Sequence, residues 1–300
     1  MPARQEEILI VRLAGLGDIA TASTILSRIR AEVDEPRLFV GSIVERTMVI
    51  AKVWGQLARH RFDVVVIAHA DARYRWLVRP IPSSRVRALD RSGRGRTNPV
   101  PGRFFGDEFA RLLDPPGAEE FRPGYYELAD LRQRVITVQL PHDVRDVLRA
   151  RRIDVVLVPG GARNILRDAP LRLWPTNNYA EVARALISEG LSVAIIGDAG
   201  DSWVRPAFEG VAVIDLIGRL DIPQTMRVIA ESDVVVSHDT GPMHFARLVR
   251  TYLVALFGPT IPRQVIGESG QVRCSGVERV SRANPATTGE TLRPARGIVV

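Results

Sequence analysis

The stretch Asp233–Phe257, DVVVSHDTGPMHFARLVRTYLVALF, decides the fold. Asp233–Val236 and Tyr252–Phe257 are apolar at almost every position, the pattern of strands buried on both faces. Between them Pro242–Val249 has helical spacing, and the polar turn Ser237–Gly241 separates this helix from the first strand. A strand, a helix and a second buried strand make a βαβ unit, the building block of a doubly wound parallel sheet.

The same alternation extends outward on both sides. Ile153–Val158, Ser192–Ile196 and Val211–Ile214 read as strands, with Asn178–Glu189 and Pro223–Glu231 as helices between them. An earlier series has strands at Ile8–Leu13, Leu38–Gly41, Asp63–Ala68 and Val86–Leu89, with a helix over Asp18–Ala31. The two series are separated by a Pro/Gly-rich region, Asp114–Tyr126, and a linking segment around Leu140–Arg152. The expected domains are therefore 1–145 and 146–275, followed by an irregular tail, 276–300. Two such domains facing each other leave a cleft at the carboxyl ends of their strands, where folds of this kind bind ligands.

Composition narrows the function. The chain has 300 residues, enough for two domains. Cys274 is the only cysteine, which excludes an intrachain disulfide framework or a cysteine-cluster metal site. The apolar run Ile8–Leu13 is too short for a signal-peptide core, and no stretch approaches a membrane span, so a cytoplasmic protein is expected. The net charge is +7, and Lys52 is the sole lysine beside 40 arginines. Arginine forms planar, two-pronged bonds to carboxylates and phosphates, so an anionic partner is expected. Nucleic acid is not the expected partner: the basic stretch lacks aromatic interleaving and no recognised module is present. Nine arginines fall in Arg73–Arg103, Arg73 and Arg75 among them, which reads as a mobile cationic loop on the first domain.

Four turns carry candidate chemistry. Gly15-Leu-Gly17-Asp18 follows the first strand and opens a helix, where Asp18 serves either as an N-cap or as a general base. Its glycines let a ligand approach the helix end, but Ala20 replaces the third glycine of a dinucleotide fingerprint. In Asp239-Thr240-Gly241-Pro242-Met243-His244, Asp239 or Thr240 can cap and Pro242 suits the first helical turn. The helix end is then either simply capped or an anion site suited to a diphosphate. A metal pair of His238 and His244 is disfavoured, since their spacing puts them on different sides of a helix. Gly160-Gly161 is a phosphate cradle after a strand, with Arg163 or Arg172 to neutralise charge. Asp198 and Asp201 either hold ribose hydroxyls or cap a helix at Ser202.

Taken in order, ILIVRLAGLGDIATASTIL (8–26), VPGG (158–161), RLWPTNNYAEVARAL (172–186), SHDTGPMHFARL (237–248) and VALFGPT (254–260) resemble the ADP-heptose:lipopolysaccharide heptosyltransferases of glycosyltransferase family 9. The resemblance implies a GT-B fold, two Rossmann-like domains facing a central cleft, with acceptor on the first and nucleotide-sugar on the second. It implies an inverting, metal-independent transfer of heptose from ADP-heptose to a lipopolysaccharide core precursor, with peripheral association at the inner membrane surface. Asp18 would be the base and Arg172 would stabilise the departing diphosphate. Gly160, Gly161, Arg163, Asp198, Asp201, Asp239, Thr240, Gly241 and His244 would bind donor; Gly15, Gly17, Arg73 and Arg75 lie on the acceptor side. The family's small residues and glycine after the His244 helix are replaced by Arg247, Arg250, Thr251 and Tyr252. Two alternatives keep the fold: transfer to a soluble, non-lipopolysaccharide acceptor, or binding of a nucleotide or glycan without turnover.

Overall fold

Parallel pairing of the apolar runs organises the computed structural model, which describes residues 8–11, 20–24, 54–55, 57–69, 72–89, 103–113, 128–161, 163–164, 167–168, 170–267 and 272–276. The first elements are β1 (Ile8–Val11), β2 (Phe62–Ile67), α1 (Ala72–Val78), β3 (Ser83–Ala88) and α2 (Phe105–Ala110). After them come α3 (Arg132–Val135), α4 (His142–Ala150), β4 (Val155–Val158) and a two-strand hairpin, β5 (Arg163–Asn164) with β6 (Arg167–Asp168). The chain continues through α5 (Thr176–Ser188), β7 (Val193–Ile195), β8 (Ile214–Asp215), α6 (Ile222–Glu231) and β9 (Val234–His238). It ends in α7 (Gly241–Leu248), β10 (Tyr252–Phe257), α8 (Pro262–Ile266) and β11 (Val272–Gly276).

Two compact units result: Met1–Ala129 with Arg263–Gly267, and Asp130–Pro262 with Glu268–Val300. In the first unit β1, β2 and β3 pair in that order, all parallel. The second unit's sheet has the order β11-β10-β9-β4-β7-β8, again all parallel. From β4 the chain moves outward through β7 to β8, then returns to β9 on the other flank and moves out to β11. The direction of winding therefore reverses between β4 and β9, and ligands of such sheets bind at the carboxyl ends of the strands at that reversal. Every residue of β4 is buried, and Val155 and Leu157 join Tyr179, Ala183, Ile195 and Phe208 in one core cluster. Each large aliphatic side chain so buried contributes about 1.5–3 kcal/mol.

The junction at Ala129–Asp130 lies earlier than residue 145. The segment read as a linker is the helix α4, whose buried Val144 and the Asp143–Arg219 ion pair tie it to the second unit. Before it, the Leu131 N–H donates to Leu248 (2.8 Å) and Arg132 to the Val249 carbonyl (3.1 Å). The cationic stretch is likewise structured over residues 72–89. Val78, Ile81 and Ala88 enter a core with Leu9, Phe62, Val65 and Ile67, so α1 and β3 form because their apolar positions have somewhere to go. Leu38–Gly41 and residues 277–300 of the expected tail lie outside the described residues.

Candidate functional site

The loops after β4 and β9 meet at the winding reversal of the second unit. Gly160 and Gly161 end β4's run, and neither tolerates a side chain. A Cβ on Gly160 would lie 2.4 Å from Asp201 Cγ; Gly161 has φ +91 and would place its Cβ 3.0 Å from Thr240 Oγ1. Thr240 is the N-cap of α7 in extended conformation, yet its hydroxyl makes no capping bond, and Pro sits in the first turn. The N–H groups of this helix start are not taken up by that side chain, and the helix dipole adds about half a positive charge there.

Arg172 supplies a full charge to the same place. It closes the 3₁₀ turn Pro170–Arg172, and its Nε lies 3.3 Å from Oδ2 of the buried Asp239. That turn rests on Gly258 of the Phe-Gly-Pro-Thr stretch: a Cβ at Gly258 would fall 2.2 Å from the Leu171 carbonyl oxygen. Only a glycine allows so close an approach, so the two motifs meet by steric necessity. His244, in the first turn of α7, is buried and its pKa is pushed down to about 3, by burial first and then by Arg247 and Arg172. It is a neutral ring beside the positive site.

Asp201 is buried and works internally. Its Oδ1 accepts from the Gly161 N–H (2.7 Å) and its Oδ2 from the Asp198 N–H (3.0 Å), clamping the loop after β4 to the loop after β7. Asp198 is the exposed N-cap of the 3₁₀ helix Ala199–Phe208, and its Oδ1 accepts from the Gly200 N–H. The capping reading therefore describes both aspartates, with the helix beginning three residues before Ser202. Arg163 is placed by its backbone, paired with Asp168 in the hairpin. Gly15, Gly17 and Asp18 lie outside the described residues; Arg73 and Arg75 are on α1, where Arg75 is exposed. Among the described residues no three His, Cys, Asp or Glu side chains gather to hold a metal ion, and no helix is long and apolar enough to cross a membrane.

Two residues that sequence reasoning did not assign sit directly behind the site. His238 ends β9, fully buried, with Nδ1 2.9 Å from the Tyr179 hydroxyl, and its backbone N–H donates to that same oxygen at 3.1 Å. Their signal was position alone: His238 precedes Asp239, and Tyr179 follows Arg172-Leu-Trp-Pro by one helical turn. Arg172, Asp239, Thr240, Gly160, Gly161 and His244 are thus brought together, and the arrangement can hold a diphosphate over the start of α7 with its charge met by Arg172.

The family model for glycosyltransferase family 9 (heptosyltransferase) matches residues 132–288, more than half of the chain. Lipooligosaccharide heptosyltransferase 2 of Haemophilus influenzae is 34% identical over 101 residues, 31% of this chain and 29% of that protein. The aligned stretch thus spans less than a third of that curated relative. Among solved structures, a family 9 glycosyl transferase from Veillonella parvula superposes with a TM-score of 0.73 at 17% identity, covering 92% of this chain and 87% of the other. The E. coli heptosyltransferase WaaC solved with ADP gives a TM-score of 0.70 at 16% identity, covering 91% and 93%. The likeness to these structures is one of fold, the GT-B glycosyltransferase fold. With the family match lying across the unit that holds Arg172, Asp239 and His244, the chain belongs to glycosyltransferase family 9.

Proposed function

We propose that the protein is an inverting glycosyltransferase that moves heptose from ADP-heptose to a hydroxyl of a lipopolysaccharide core precursor. The observation that carries this reading is the α7 start at Thr240–Gly241, set over Gly161 at the winding reversal and flanked by the Arg172–Asp239 pair. A departing diphosphate needs fixed positive charge where its own negative charge develops, and preorganised groups of this kind contribute several kcal/mol. In the proposed step Asp18 takes the acceptor hydroxyl's proton as that oxygen bonds to the anomeric carbon. The bond from that carbon to the diphosphate breaks, and ADP leaves against Arg172 and the helix end. Asp18 holds this role by its place in the Gly-Leu-Gly-Asp motif. No metal is assigned a part.

An anionic, lipid-linked acceptor is supported by α1. Trp76 is 68% exposed, Arg79 lies over its ring (5.2 Å to the centroid) and Arg75 is exposed beside it. An amphipathic ring flanked by arginines suits an anionic membrane surface, where each basic residue contributes about 1 kcal/mol. The test of the donor is a thermal-shift series with ADP, UDP, GDP and dTDP and their sugars, since stabilisation follows occupancy. A selective response to ADP and ADP-heptose is expected; a UDP-selective response overturns the donor assignment. Asp18→Asn is expected to abolish transfer with nucleotide affinity intact, and unchanged turnover removes Asp18 as the base.

A further inference from the structure

Behind the candidate donor site, five residues close a circuit of contacts. Arg172 is followed two residues later by Trp174, whose ring meets Tyr179 edge to face (centroids 4.9 Å apart, 78° between planes). Tyr179 bonds His238, as above, and the two rings are also in edge contact at 5.9 Å. His238 is covalently followed by Asp239, and Asp239 returns to Arg172 through the 3.3 Å ion pair. The residue that presents a cation and the residue that orients it are thus linked through the interior as well as at the surface.

The protons in this circuit can be counted. Tyr179 is wholly buried, and its hydroxyl already accepts the His238 backbone N–H. Its own proton must find an acceptor, because a buried unmatched donor costs about 1–3 kcal/mol. The partner within reach is Nδ1 of His238, which therefore accepts and carries no proton. The proton of the neutral ring is then on Nε2. That Nε2 is buried and has no hydrogen-bond partner among the described residues, so the ring is held through Nδ1. One imidazole in one tautomer thus joins α5, through Tyr179, to the start of α7, through its own chain.

We propose that His238 is a positioning residue of the donor site: held by Tyr179, it fixes the Asp239–Thr240 turn and so sets the place of Arg172 and the α7 N-terminus for a nucleoside diphosphate. This rests on the donor-site reading above and adds to it two residues that touch no substrate. Burial keeps the ring neutral, pushing the His238 pKa down to about 4 and that of Tyr179 upward, so neither changes charge near neutral pH.

The test uses Tyr179→Phe, which removes one oxygen and keeps the ring, with ADP as the probe. The loss of two hydrogen bonds at the hinge is expected to weaken ADP binding and raise the donor KM together, by about tenfold. The expected kcat change is under about twofold, because the displaced groups hold the donor in the ground and transition states alike. His238→Asn, which keeps an acceptor for the hydroxyl, is expected to bind ADP more tightly than His238→Phe. A lowered unfolding temperature with ADP affinity of the folded variant unchanged, or equal affinities for the Asn and Phe variants, overturns the proposal. Arg172→Ala separates the two levels: if it leaves ADP affinity unchanged, the donor-site reading itself falls. If it weakens ADP while Tyr179→Phe does not, only the positioning role falls.

Discussion

Arg250 has the left-handed backbone (φ 59) that an arginine adopts at a cost of about 1–2 kcal/mol. It does so because the end of α7 demands it. The Thr251 N–H bonds the Ala246 carbonyl (2.9 Å) and the Arg250 N–H the Arg247 carbonyl (3.4 Å), the paired bonds of a helix stop that glycine fits best. In return Arg250 gains a long ion pair to the largely exposed Asp130 (3.7 Å), worth about 0–1 kcal/mol. Arg250→Gly is therefore expected to stabilise the protein by about 0.5 kcal/mol, or roughly 1–2 °C in Tm; a fall in Tm would show that the ion pair outweighs the strain. The buried histidines set a pH limit at the same scale. His238 and His244 titrate near 4 and 3 in the folded chain, below their ordinary value, chiefly through burial. The unfolded chain takes up those protons first, so the stability they contribute is complete above pH 6.5 and drains as pH falls from there toward 4. Asp107, in the other unit, runs the opposite way. Burial and the neighbouring Glu108 push its pKa up to about 6, so its protonation favours the folded state as pH falls below 6. Melting followed through the second unit is expected to drop steadily from pH 6.5 to 4.5; a flat profile would mean that the two rings are protonated or exposed in the native state.

Helix α7 shows what an element gives up for a site. Its N-cap is a threonine whose hydroxyl does not cap, whereas α6 begins with a full capping box, Asp221 with Gln224. A carboxylate at position 240 would satisfy orphan N–H groups and the dipole, worth about 0.5–2 kcal/mol. Thr240→Asp is thus expected to raise Tm while weakening ADP binding by an order of magnitude or more, through competition with and repulsion of the phosphates. Higher Tm with undiminished ADP affinity would detach this helix end from the donor. Local sequence signatures differ most from element to element. β10 was legible to the residue and α5 to within two, because runs of buried residues and amphipathic periods leave local signatures. α1 was not, and β3 was legible only from Val86 onward, since arginines at 73, 75, 79, 85 and 87 hide apolar positions that only long-range packing brings into use. Asp201 admits a ligand-binding or a capping reading, and its bond from the Asp198 N–H is the local, capping one; only the reach of its other oxygen to the Gly161 N–H, 40 residues away, has no local signature.

At the scale of the molecule, the arginine-rich composition divides into a few placed charges and many solvated ones. The expected role of the α1 patch is measurable with vesicles of phosphatidylglycerol and phosphatidylcholine. Trp76→Ala and Arg75→Ala/Arg79→Ala are each expected to reduce co-sedimentation with the anionic vesicles severalfold, and added salt to reduce it in the unaltered protein. Equal binding by all variants would assign the membrane contact elsewhere. The sequence by itself determined that two series of buried strands and amphipathic helices would form parallel sheets, and that glycine turns and a helix start would follow β4 and β9. Those are consequences of short-range chemistry: burial patterns, φ preferences and capping. Only the tertiary structure decided the strand order that puts β4 beside β9, and with it which loops share the site. It likewise decided that Arg172 would meet Asp239, that Gly258 would admit the Arg172 turn, and that Tyr179 would choose the tautomer of His238. Each of these joins residues 59 to 87 positions apart, and contacts of that range are set by how the sheet closes, which no local stretch of sequence encodes.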